Sequence, residues 1–226
     1  MTELTVNQMS PANQDDFFIA VLDYGIGNLR SAQKAFEFVG GRACLVESPA
    51  QARGAGGFVL PGVGAFGHCL KALRESKLDR TVVEAIDASL PFLGICVGLQ
   101  MLYEGSEETP DVKGLGVIEG AVKQLSGTQK RPQMQWNCIS RTDGRRPALL
   151  QGVGENPWVY FVHSYAPPLS DVVVATCNYG GDVTAAIERD NLWGTQFHPE
   201  KSGAVGLSIL ANFVALCRSL NFHWHL

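Results

Sequence analysis

The sequence predicts an α/β fold: an open, mostly parallel, twisted sheet with helices on both faces and additional antiparallel strands, flavodoxin-like at its core. Three observations carry this reading. The first half alternates short, almost purely apolar runs with segments of helical periodicity. Glycine-rich turns follow several of those runs. The second half changes to short strands separated by turn residues, the pattern of antiparallel pairing.

Residues 1–16 are polar, with Asn7, Gln8, Ser10, Pro11, Asn13 and Gln14, and read as a flexible N-terminal extension. Residues 17–226 read as a single domain, with no repeat and no linker. Phe17–Tyr24 is a continuous apolar run, expected as a strand buried on both faces. Gly25 and Gly27 turn the chain into a helix with Leu29, Ala32, Phe36 and Val39 on one face, closed by Gly40-Gly41. Ala43–Val46, Gly57–Leu60 and Pro91–Ile95 follow as strands, with helical segments between them that include Thr81–Ala88. Leu99–Tyr103 reads as a helix leading out of the fourth strand.

In the second half, Val117–Leu125, Gln135–Ser140, Val159–Val162, Val172–Cys177, Val183–Ile187 and Leu192–Phe197 read as strands. Gly206–Leu220 closes the chain as a helix with Leu207, Leu210, Phe213, Val214 and Cys217 on its apolar face. Parallel sheets bind ligands outside the carboxyl ends of their strands. Tyr24-Gly25, Pro61-Gly62-Val63-Gly64 and Cys96 all fall at such ends, so they are expected to meet at one crevice.

Composition narrows the functional class. At 226 residues, with 46% hydrophobic and 18% charged residues, the chain is long enough to bury a full core. A net charge of −4 gives no electrostatic case for nucleic acid. No apolar run is read as membrane-spanning, and the start lacks the pattern of an export signal. Six cysteines lie scattered without C-x-x-C pairs, which points to a reduced, cytoplasmic chain rather than a disulfide framework or a metal site. No metal ligands and no cofactor are expected.

The chemistry concentrates at two places. Gly94-Ile95-Cys96-Val97-Gly98 has the spacing of a nucleophile elbow with cysteine at its centre. A sharp strand-to-helix turn would push the sulfur out of the sheet, and the flanking glycines avoid collisions with neighbouring backbone. The helix start at Val97 favours thiolate. A cysteine nucleophile also needs a base, and the base needs a third group to orient it. His198-Pro199-Glu200 supplies both, because residues two apart in an extended segment point to the same side. The order is cysteine, histidine, acid, unlike the order in α/β-hydrolases.

Gly94-Ile95-Cys96-Val97-Gly98-Leu99-Gln100 together with His198-Pro199-Glu200 resembles the class I (triad-type) glutamine amidotransferase family. Asp23–Leu29, Leu60–Phe66, Tyr160–Tyr165 and Gly194–Gly203 extend the resemblance to the branch that supplies ammonia for imidazole-ring formation in histidine biosynthesis. The similarity runs from about Phe17 to Leu220. It implies that L-glutamine is hydrolysed through Cys96, His198 and Glu200. It also implies an oxyanion site from the backbone amides of Val97 and of Val63 or Gly64. Gln100, with Ser164 and Tyr165 beside His163, would hold the amino-acid end of glutamine. The ammonia would pass to a separate cyclase chain, a (β/α)8 barrel, in a heterodimer contacted by Asn28, Trp136, Asn137 and Lys201.

Where the family has Pro-His-Met-Gly-Trp-Asn, this chain has Pro132-Gln133-Met134-Gln135-Trp136-Asn137, in a stretch expected to face the partner. That departure leaves open a different synthase partner. A stand-alone thiol hydrolase, with His198 paired to Asp171 or Asp182, is a further alternative; a non-enzymatic subunit has no need of all three triad residues.

Overall fold

The computed structural model describes residues 17–142 and 144–220. The expected N-terminal extension and the His223-Trp224-His225 tail lie outside the described residues. In chain order the elements are β1 (Phe18–Leu22), α1 (Leu29–Phe38), β2 (Ala43–Val46), β3 (Ala55–Gly62), α2 (Phe66–Glu75), α3 (Leu78–Asp87), β4 (Phe92–Cys96) and α4 (Val97–Gln100). They continue with β5 (Tyr103–Ser106), β6 (Ile118–Gln124), β7 (Gln133–Cys138), β8 (Ser140–Arg141), β9 (Trp158–His163) and β10 (Tyr165–Ala166). The last are β11 (Val173–Asn178), β12 (Asp182–Arg189), β13 (Leu192–Thr195) and α5 (Gly203–Leu220).

The main sheet runs β2-β1-β3-β4-β13-β12-β11-β8. From β2 through β13 the strands are parallel, and β12, β11 and β8 continue it antiparallel. β13 therefore bridges the two halves, parallel to β4 on one side and antiparallel to β12 on the other. The central strands are apolar on both faces because helices cover both. Ile19, Phe58, Leu60, Phe92 and Leu93 are wholly buried, each such side chain stabilising the fold by roughly 1.5–3 kcal/mol. On one face α1 packs on α5, with the Phe36 and Phe213 rings 5.9 Å apart; α2 and α3 pair on the other. Two small sheets, β10-β6-β5 and β7-β9, stand beside the main one.

Two expectations are corrected. The helix after the nucleophile turn is a single turn, Val97–Gln100, and Tyr103 already begins β5. The apolar run Leu99–Tyr103 is buried throughout, so its hydrophobicity reflects the core rather than one helix face. Second, α5 is long and apolar enough to cross a membrane by length and composition, although no such run was read from the sequence. Its Ile209, Leu210 and Phe213 are fully buried, and Phe213 packs edge-on against Trp193, so one face of it packs into the core.

Candidate active site

Cys96 ends β4 with φ 54° and ψ −113°, in the left-handed half of backbone space that a non-glycine residue occupies at a cost of about 1–3 kcal/mol. The surrounding backbone holds it there. A Cβ on Gly98 would lie 1.8 Å from the Leu60 carbonyl oxygen, and one on Gly94 would lie 2.9 Å from the Leu99 Cα. Only glycine lets strand and elbow approach this closely. The Val97 amide, at the start of α4, is left without an intrahelical acceptor.

His198 arrives from the neighbouring strand. After β13 the chain turns through Gln196 and Phe197. Phe197 is buried edge-on against Phe161, with ring centroids 5.8 Å apart. The His198 N–H donates to the Tyr160 carbonyl at 3.0 Å, and the Ser202 hydroxyl donates to the His198 carbonyl at 2.6 Å. Glu200 sits in the single helical turn Pro199–Lys201. Its Oε1 accepts from His198 Nδ1 at 2.8 Å, with the two side chains 2% and 5% exposed. This acid pairs with the imidazole, which answers the alternative pairing with Asp171 or Asp182. His198 Nε2 and Glu200 Oε2 are buried without a protein partner.

Burial by itself lowers the His198 pKa, but the neighbouring Cys96 sulfur and the Glu200 carboxylate outweigh it and push it up to about 10. At neutral pH the imidazole is therefore protonated beside the sulfur.

A cavity of about 270 Å³ opens over the sulfur. Val63, Gly64, Val97, Gln100, Ser164 and Tyr165 line it with Cys96 and His198, so the residues expected to bind and polarise a substrate are gathered at one place. The Val63–Gly64 loop is pinned from below: the Tyr24 hydroxyl donates to the Pro61 carbonyl at 2.7 Å, and the Cys69 thiol to the Val63 carbonyl at 3.2 Å. Gly64 takes φ +90°, the turn that only glycine makes freely. Gln100 spends both amino hydrogens inward, on the Tyr165 carbonyl at 2.9 Å and on Gln196 Oε1 at 3.0 Å. Its own oxygen is left to accept from a ligand.

The structure adds a residue that the sequence reading missed. Glu108 is the acidic side chain on the cavity wall. One oxygen accepts from the Phe66 N–H at 2.8 Å, fixing the carboxylate at the start of α2. Its position inside Glu107-Glu108-Thr109-Pro110, a polar run after β5, carries no sequence signal of a site.

His163 lies on the cavity wall as well, and is buried. Burial lowers its pKa to about 4, so it is neutral at pH 7. Its Nδ1 is 2.9 Å from the Tyr165 carbonyl, which cannot donate, so Nδ1 carries the proton and Nε2 accepts. Nε2 is 3.0 Å from the Gln133 carboxamide, whose other end lies 3.8 Å from the Cys177 sulfur. The structure sets the Gln133 oxygen toward Nε2 and its amino group toward the Cys177 sulfur; a neutral imidazole with its proton on Nδ1 is matched by the same carboxamide turned over.

This corrects the expectation for the altered segment. Gln133 is wholly buried and braces His163 instead of facing a partner, whereas Gln135 is exposed. Of the four residues expected at an interface, Asn28 and Lys201 are exposed and Trp136 is 47% exposed, edge-on to Tyr160. Asn137 is engaged within the chain, its Nδ2 donating to the Asn178 carbonyl at 2.9 Å and its Oδ1 accepting from the Cys138 N–H.

The family model for class-I glutamine amidotransferases matches residues 21–217. The chain belongs to that family. Two relatives are named "Imidazole glycerol phosphate synthase subunit HisH". The one from Salinibacter ruber is 45% identical, covering 87% of this chain and 93% of its own length. The one from Thermosynechococcus vestitus is 47% identical, covering 88% and 97%. A crystal structure described as a glutamine amidotransferase superposes with a TM-score of 0.70 at 21% identity, covering 88% of this chain and 98% of that one, and supports the fold.

Two outcomes are expected for this amidotransferase. Gly98→Ala forces the elbow off Leu60 and should destabilise the fold by at least about 2 kcal/mol in urea unfolding. Gly154→Ala, where a Cβ meets nothing within 4 Å, should stay within about 0.5 kcal/mol. The second outcome follows from His163, whose pKa is depressed from 6.5 to about 4. A histidine held neutral by the fold contributes stability that is complete above its ordinary pKa and is lost as pH falls toward 4. The loss should be on the order of 3 kcal/mol. Chemical denaturation across this range should show that acid slope, and His163→Asn should flatten it.

Proposed function

We propose that the chain is the glutaminase subunit of imidazole glycerol phosphate synthase and that Cys96, His198 and Glu200 are its catalytic triad. The observation that carries this reading is the left-handed Cys96 elbow set beside the 2.8 Å His198–Glu200 pair, in a chain 45% identical to a named HisH subunit. The Cys96 thiolate attacks the side-chain amide carbon of L-glutamine. The Val97 amide, with that of Val63 or Gly64, holds the resulting oxyanion, each donor contributing on the order of 3 kcal/mol. His198 Nε2 protonates the departing nitrogen, ammonia leaves, and a glutamyl thioester remains. The same imidazole then deprotonates water, which releases glutamate. Glu200 keeps the Nδ1 proton in place throughout.

The amino-acid end of glutamine carries an ammonium group. Gln100 Oε1 and the Glu108 carboxylate are the acceptors that the cavity offers it, with the Ser164-Tyr165 segment beside them. Ammonia passes to a separate cyclase chain, a (β/α)8 barrel, which forms imidazole glycerol phosphate and aminoimidazole carboxamide ribotide in histidine biosynthesis. Asn28, Trp136 and Lys201 lie on the surface that would meet it, with Asn137 bracing the strand behind. The cysteines, all free among the described residues, fit a reducing cytoplasm. Gln133 faces inward, so within the altered segment only the exposed Gln135 bears on the choice of partner.

Glutamine-dependent synthesis by the complex with the cyclase should be abolished in Cys96→Ser, while synthesis from added ammonium salt persists. A variant turning over glutamine near the parent rate contradicts the triad. Trp136→Ala removes a large exposed aromatic and should weaken complex formation by about 2 kcal/mol, read by titration calorimetry against the cyclase. Unchanged affinity would remove that residue from the interface.

A further inference from the structure

We propose that Gln196 is a fourth member of the nucleophile's machinery, its carboxamide N–H donating to the Cys96 sulfur and holding it as an aimed thiolate. The inference rests on Cys96 being the nucleophile. Gln196 is wholly buried, and its Nε2 lies 3.6 Å from Sγ, within reach of an N–H···S hydrogen bond.

The amide's orientation is fixed by its neighbours. The Tyr165 carbonyl can only accept, so the group of Gln100 that meets it at 2.9 Å is the amino group. The second hydrogen of that amino group points to Gln196 at 3.0 Å, so the end of Gln196 that receives it is the oxygen. What remains for the sulfur is the amino end. The Tyr165 carbonyl is in turn held by His163 Nδ1 at 2.9 Å. A continuous chain of part-buried and buried bonds therefore runs from the cavity wall to the nucleophile, and each link sets the direction of the next.

A hydrogen bond given to the charged form of an acid favours that form, so a donor on sulfur lowers the thiol's pKa. The donor also restricts where the sulfur points, because Gln196 leaves β13 on the same turn that carries His198. Imidazole and amide thus reach Cys96 from one loop, and a displacement of that loop moves both together. Gln196 precedes Phe197-His198 in sequence, but a glutamine at that position announces no chemistry until its partners are seen.

Other titratable groups surround the sulfur. They are His198 and Glu200 after β13, Tyr24 after β1 and Cys69 on α2, with His163 on β9 and Glu108 on the cavity wall. Burial raises the pKa of both Tyr24 and Cys69, which keeps them neutral near the sulfur.

The test is the pH dependence of Cys96 alkylation by iodoacetamide, followed by peptide mapping, in the full chain. Gln196→Glu keeps the oxygen that Gln100 needs but sets a carboxylate against the sulfur. Gln196→Met removes the donor at similar volume. The inflection should move up by a unit or more in both, and alkylation at pH values below the parent inflection should slow by about tenfold or more. Should Q196E fail to fold, Q196M is read in its place, with near-UV circular dichroism checking its packing. Melting points that fall while the inflection stays at the parent pH would overturn the inference, since a merely structural residue behaves that way. If Cys96 of the parent chain reacts no faster than the other five cysteines, the proposed triad itself fails instead.

Discussion

The site depends on one close approach, that of the Gly98 backbone to the Leu60 carbonyl on the adjacent strand. With no side chain at residue 98, α4 can begin directly against β3. That seat keeps Cys96 in a backbone conformation it would otherwise leave. Tight packing of β3, β4 and β13 supplies the energy that offsets this strain. It also brings two strand ends to one cavity, the Val63 loop after β3 and the sulfur after β4, while Tyr24 after β1 braces Pro61 without lining the cavity. β13, parallel to β4, then delivers His198 and Glu200 to the same end of the sheet.

The second constraint is polar and buried. His163, Gln133, Gln100 and Gln196 are all nearly inaccessible to water, so each amide and ring nitrogen has to be matched by a complementary partner. Matching leaves little freedom of orientation. The Tyr165 carbonyl accepts from two of them and so orders the rest. Such a network favours one arrangement of the cavity wall over its alternatives, which suits a site that must place a small polar substrate accurately.

Much of the fold was legible because parallel strands buried on both faces are continuous apolar runs. Ala43–Val46 is found as read, and the strand read as Pro91–Ile95 is shifted by one residue to Phe92–Cys96. The elbow glycines and the His-Pro-Glu segment were legible because their spacing reflects geometry within one turn. What the sequence withheld depends on tertiary contact. The run from Leu99 to Tyr103 is equally apolar whether it forms a helix or, as found, one turn followed by a strand. Glu108 and Gln196 sit in ordinary local surroundings and gain a role only from residues far away in the chain, Phe66 for one and Cys96 for the other. Gln133 looked like a surface change and proved internal, because pairing with β9 sets it opposite His163.

The central claim is that glutamine becomes covalently attached to Cys96 on its way to glutamate. It is tested most directly by quenching the chain in acid during turnover of isotopically labelled glutamine, with the cyclase present, and mapping the label by peptide mass spectrometry. The account predicts a glutamyl group on the Cys96 peptide that is absent when Cys96 is replaced by serine. Turnover of glutamine with no label on Cys96, or with label on another cysteine, would contradict it.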